Sequence, residues 1–150
     1  MANKIQEFLA KAHQATYASG EKAKINVNGA DQFSFQDGDY EYIDTYYGGD
    51  NFVGTEIVKE NSIPVWGMSY YGYFTSDKVS SEEVFKFLQQ MLSKTKPGIL
   101  LRGPQSFKQK EWNYRYSYKG SFSNFTAHEV VKYKGRKVHQ ARFNGGSINN

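Results

Sequence analysis

Hydrophobic residues recur along the chain with two different periods. Ile5, Phe8, Leu9 and Ala12 fall at helical spacing, which predicts a first helix over about residues 3–17 that stops near Ser19-Gly20. Val84, Phe85, Leu88, Met91 and Leu92 repeat that spacing over about 81–93. There Ser80 and Glu83 form a capping box, and Pro97-Gly98 ends the helix. Elsewhere the pattern is that of strands rich in Tyr, Phe, Val and Ile, over about 33–37, 40–47, 52–60, 63–73, 105–109, 112–119, 124–133 and 136–144. Asp37-Gly38, Asn61-Ser62 and Lys134-Gly135 are turn dipeptides between them. Loops this short force antiparallel neighbours.

The two halves resemble each other. Displaced by 73 positions, Asn51, Phe52, Glu56, Val58, Lys59, Val65 and Gly72 fall on identical residues, from Asn124 to Gly145. Displaced by 72, Ser34, Phe35, Tyr42, Tyr46 and Gly48 do the same. Ile5, Phe8, Leu9 and Ala12 answer to Val84, Phe87, Leu88 and Met91. The expected fold class is therefore α+β, a tandem repeat of two helix-plus-antiparallel-strands units about a pseudo-two-fold, with the helices packed on one face of the sheet. The chain is read as a single domain over 1–150, with units at about 3–75 and 81–146.

Composition narrows the function classes. The 12 Tyr and 11 Phe exclude a disordered or collagen-like chain. The absence of cysteine excludes disulfides, thiol catalysis and Cys-ligated zinc. No stretch reaches the roughly 18 apolar residues of a membrane span, and MANKIQEFLAKAHQ lacks the apolar run of a signal peptide, so a cytoplasmic location is expected. The formal net charge of +4 hides an asymmetry. Residues 1–75 carry 5 Lys against 10 acids, and residues 76–150 carry 14 Lys and Arg against 5 acids. Most of these cations are dispersed, among them Lys108, Arg115 and Lys119. That favours charge attraction between the halves or protection of strand edges, and weighs against nucleic acid as a partner.

Three segments carry a resemblance: Asp39-Tyr40-x-Tyr42-Ile43-Asp44-x-Tyr46-x-Gly48-Gly49, Phe52-x-Gly54-x-Glu56, and Pro64-Val65-Trp66-Gly67-Met68-x-Tyr70-Tyr71-Gly72. They resemble a family of bacterial domains of unknown function, found alone or fused behind helix-turn-helix regulators. The resemblance implies ligand sensing or protein contact and transfers no catalytic residue.

A two-residue turn at Asn61-Ser62 sets Glu60 against Ile63. Carried along both strands, that register puts Val53, Thr55, Ile57, Trp66, Met68 and Tyr70 on a core face. Phe52, Gly54, Glu56, Val58, Val65, Gly67, Ser69 and Tyr71 take the other. Glu56 then stands opposite Gly67 and Gly54 opposite Ser69, a shallow depression walled at one end by Phe52 and Tyr71. The expected ligand site is Glu56, Phe52, Gly54, Gly67, Ser69 and Tyr71, suited to a small cationic or hydrogen-bonding ligand. In the last hairpin the same rule sets Glu129 against Gln140, near Arg142, and puts His128 and His139 on one face without a third ligand, so no metal site is assigned. Asp44, alternating with Tyr42 and Tyr46, is placed to hydrogen-bond a buried tyrosine, and His13 flanks the apolar stripe of helix one as a surface or boundary residue. No catalytic triad, phosphate loop or dinucleotide motif is present, and no cofactor is implied. The leading functional reading is a non-enzymatic module that binds a small molecule or partner. The alternatives are a small enzyme using Glu56, with Asp44 or Tyr71, as acid–base groups, and a polyanion binder acting through the basic second half. An exposed Phe52/Tyr71 face would also invite a homodimer.

Overall fold

The apolar stripe of Ile5, Phe8, Leu9 and Ala12 is the buried side of helix α1, Ala2–Ala15. Helix α2, Ser81–Leu92, buries Val84, Phe87, Leu88, Met91 and Leu92, and its N-cap Ser80 accepts the Glu83 backbone N–H at 3.3 Å. The structure is a computed structural model that describes residues 2–19, 23–25, 28–93 and 106–149. The expected stop at Pro97-Gly98 lies outside the described residues; α2 ends at Leu92, where the Ser93 N–H bonds the Gln89 carbonyl. No described helix is long and apolar enough to cross a membrane.

The strands are β1 (Lys24–Ile25), β2 (Asp31–Asp37), β3 (Tyr40–Gly48), β4 (Phe52–Glu60), β5 (Ile63–Phe74), β6 (Ser106–Gln109), β7 (Trp112–Ser121), β8 (Asn124–Tyr133) and β9 (Arg136–Ser147). All pair antiparallel in one sheet of order β1-β2-β3-β4-β5-β9-β8-β7-β6. Asn61 and Ser62 both take positive φ, 51° and 68°, as a two-residue hairpin turn requires. Lys134 and Gly135 do the same at 50° and 76°.

The expectation of two helix-plus-strand units is overturned by this continuity. The two longest strands, β5 and β9, pair from Trp66↔Ser147 to Phe74↔His139, so the ladder runs unbroken through the middle of the molecule. Nor does α2 belong to the later strands alone. Its Phe85 packs on Phe52 of β4, Phe74 of β5 and His139 of β9, while Phe87 stacks on Trp112 of β7 at 4.8 Å. A helix laid across the junction buries more apolar surface than one confined to four strands, and tertiary packing overrides the unit suggested by sequence likeness.

Two β-bulges fix that junction. After the turn, Lys59 pairs with Pro64, but Val58 pairs with Trp66, leaving Val65 as the extra residue. Likewise Lys132 pairs with Lys137 but Val131 with His139, leaving Val138. The Val65 carbonyl accepts the Ile148 N–H at 2.9 Å, and the Val138 carbonyl accepts the Thr75 N–H at 3.0 Å. Each bulge thus anchors the chain just beyond the end of the other central strand. Between them the backbones approach closely: a Cβ on Gly145 would lie 2.3 Å from the Gly67 carbonyl oxygen. Trp66, fully buried, donates its indole N–H to the Phe122 carbonyl at 3.0 Å and stacks on that ring.

Deleting Val65 is expected to destabilise the chain by more than about 4 kcal/mol, because a one-residue slip moves every β5 side chain to the opposite face. Val65→Ala should cost about 1 kcal/mol. Urea denaturation of both variants followed by circular dichroism checks this; equal midpoints would remove the bulge from the account.

Candidate functional site

The Val65 bulge decides where Glu56 goes. Beyond it, partners are displaced by one, so Glu56 stands opposite Met68, Gly54 opposite Tyr70 and Phe52 opposite Gly72. Across the other edge of β4, Glu56 faces Asp44 and Gly54 faces Tyr46. Phe52, Gly54 and Glu56 therefore share the buried face with Trp66, Met68 and Tyr70, whereas Gly67, Ser69 and Tyr71 lie on the opposite, open face. The depression expected between Glu56 and Gly67 does not form, and Phe52 and Tyr71 do not share a face. The second bulge corrects the last hairpin in the same way. Glu129 faces Ala141 rather than Gln140, on the face away from Arg142, and is buried with the Tyr114 hydroxyl donating to it at 2.6 Å. His128 and His139 fall on opposite faces, His128 bonding Gln140 at 2.9 Å and His139 packed among Phe52, Phe74 and Phe85.

Two carboxylates on directly opposed strand positions, Asp44 at 7% exposure and Glu56 at 3%, are costly to bury together. The surroundings answer each separately. The Nε2 of His13, reaching down from α1, lies 2.9 Å from Glu56 Oε2, and the Tyr42 hydroxyl also bonds Glu56. The Tyr70 hydroxyl donates to Asp44 Oδ1 at 2.5 Å. Gly54 makes this last bond feasible: a Cβ there would sit 2.6 Å from the Tyr70 hydroxyl oxygen. Burial, followed by the charges of Glu56 and Asp44, pushes the Tyr42 hydroxyl well above its ordinary value of 10.0, so Tyr42 stays a proton donor to Glu56. Burial and the nearby Asp31 and Asp44 raise Tyr46 in the same direction.

Above this pair is a cavity of about 570 Å³. Tyr42, Asp44, Glu56 and Tyr70 form its floor, and His13 with Tyr17 on one side and Phe85 with Leu88 on the other come from the helices. Asp31, Asp50 and Glu82 also line it, and among its described lining residues there is no Lys or Arg. His13 is only 5% exposed, and its Nδ1 has no hydrogen-bond partner among the described residues. A buried ring nitrogen left unmatched beside two carboxylates is a costly arrangement that the fold alone does not call for.

The sequence pattern of a domain of unknown function, DUF5680, matches residues 44–148. The chain belongs to the DUF5680 family. No curated protein and no solved structure matches it. The DUF5680 match opens at Asp44 and includes Gly54, Glu56 and Tyr70, while His13 and Tyr42 precede it. Of the expected site residues, the DUF5680 chain brings Glu56 and Phe52 to the cavity with Gly54 beneath Tyr70, and sends Gly67, Ser69 and Tyr71 to the far side of the sheet. The tyrosine that hydrogen-bonds Asp44, as its alternation with tyrosines suggests, is Tyr70. His13, expected at the surface or at the edge of the apolar stripe, stands four residues after Leu9 and is buried with that stripe.

Tyr42 makes the stability of the protein fall at alkaline pH. Above about pH 10 an unfolded tyrosine loses its proton while the buried one keeps it, so stability is full below pH 10 and declines as pH rises. Comparing wild type with Tyr42→Phe by urea denaturation between pH 9 and about 11, the variant should show a slope shallower by up to about 1.4 kcal/mol per pH unit. Parallel slopes would place Tyr42 in contact with solvent. Read from the same curves, Gly54→Ala is expected to destabilise by about 1–3 kcal/mol, because its Cβ would collide with the Thr45 carbonyl oxygen and the Tyr46 Cβ as well as the Tyr70 hydroxyl.

Proposed function

We propose that this chain is a binding module for a small organic cation, an amine or guanidine carried on an apolar or aromatic body, held in the cavity above Asp44 and Glu56. One observation carries the reading: two opposed, buried carboxylates face a cavity whose described lining contains aromatic rings and no Lys or Arg. A cation entering there meets two carboxylates in a low-dielectric setting, where charge attraction far exceeds its value in water. Phe33, Tyr46 and Phe52 supply ring surface for its body and for cation–π contact. A rim that includes Asp50 and Glu82, both exposed, draws cations toward the entrance and repels anions.

A thermal-shift panel tests this. Alkyl and aromatic amines and guanidines at concentrations well above their Kd should raise Tm by several degrees, while matched alcohols and carboxylates should not. Glu56→Gln and Asp44→Asn should each abolish most of the shift, with folding verified by circular dichroism. Carboxylates that stabilise as well as amines, or variants that respond like wild type, would overturn the assignment.

A further inference from the structure

The face of the sheet opposite the cavity carries mostly positive charge. Register puts Arg115, Lys119, Lys132, Arg142, Lys108 and Lys137 on that face of β6–β9. Among the described residues of those strands and their turns, the acids are Glu129, buried on the other face, and Glu111, in the β6–β7 turn. On the same face of β2–β5 the described acid is Glu41, 4.0 Å from Lys59. The cations are thus not neutralised by the acidic first half. Nor is edge protection the reason for most of them, because Arg115, Lys132 and Arg142 have strand partners on both sides. Lys132 is even paired directly with Lys137, an opposition of like charges that weakens a sheet. Folding does not account for this pattern.

Exposed rings continue the same face. Successive register pairs form one rung across six strands: Tyr47, Val53, Tyr71, Arg142, His128 and Ser117. Tyr47 and Tyr71 are each 47% exposed, and Tyr71 stacks on Tyr73 at 5.5 Å. A groove of about 630 Å³ follows the basic end of the rung, with Tyr71, Arg142 and Lys119 beside the hydroxyls of Ser117 and Thr126.

We infer that this open face is a binding surface for single-stranded nucleic acid, with Arg142 and Lys119 on phosphates and Tyr71 as a platform for a base. Unpaired bases offer ring faces that a duplex hides, and a sheet face bearing exposed tyrosines beside cations matches a strand with alternating rings and phosphates. An acidic peptide would use the cations and leave the rings idle.

Fluorescence anisotropy of the full chain with labelled oligo-dT and oligo-U of about twenty nucleotides, a duplex of equal length and polyglutamate decides the matter. At low salt both single strands should bind more tightly than the duplex and polyglutamate, and affinity should fall steeply as salt rises. Arg142→Ala with Lys119→Ala should weaken binding at least about tenfold, and Tyr71→Ala at least about fivefold. Lys11→Ala, which removes an exposed charge on α1, should change nothing. All these positions are exposed, and unchanged urea midpoints would verify that the variants fold. Absence of binding at low salt, equal binding of duplex or polyglutamate, or an unaltered Tyr71→Ala would overturn the inference.

Discussion

Val65 and Val138 each stand without a cross-strand partner, and their two carbonyls hold the centre of the molecule together. A bulge bends its strand and reverses the sense in which later side chains alternate. Here it does both where β5 and β9 meet. The freed carbonyls bond Ile148 and Thr75, and the reversed alternation sends Glu56 inward with Trp66 and Met68. Without the first bulge Glu56 would face Gly67 on the outer surface, and no acidic floor would lie beneath the helices.

The acidic floor works against stability in isolation. Two carboxylates on opposed positions repel each other and give up hydration, and burial adds to both costs. Among the described residues, tyrosine and histidine contacts drawn from separate elements offset those costs: His13 from α1, Tyr42 from β3 and Tyr70 from β5. In the β7–β8 pair the same place is simpler, since Tyr116 rather than an acid stands opposite Glu129. That contrast isolates the Asp44–Glu56 opposition as the unusual feature of the molecule.

Much of the scaffold was legible from residue order. Helical spacing located both helices, and alternation with turn dipeptides located the eight longer strands to within about three residues, because these signals are local. Two-residue β1 carries too few residues to alternate at all. The faces beyond each hairpin turn were not legible. A simple count from Asn61-Ser62 gives Glu56 opposite Gly67, and nothing in Pro64-Val65-Trp66 announces the extra residue, whose reason is the distant Ile148 N–H. The aromatic and acidic character of the site was visible in Phe52, Gly54 and Glu56; its companions His13, Tyr42 and Tyr70 come from remote positions that only the folded chain brings together. The likeness between halves was equally real as sequence and equally misleading as architecture, since α2 spans strands of both.

The margins of the sheet bear on how these proteins coexist at high concentration. A nine-stranded sheet with two unpaired borders would offer templates for end-on growth into fibrils if those borders were long and apolar. Here the border strands are two and four residues long, beginning with Lys24 and holding Lys108, and among the described residues the rest of β2 and of β7 has no strand partner on its outer side. Lys24, Lys108 and Lys110 at these margins, with Lys119 on the unpaired stretch of β7, set like charges against an approaching copy. A surface as wide as this one can therefore stay open to solvent without polymerising.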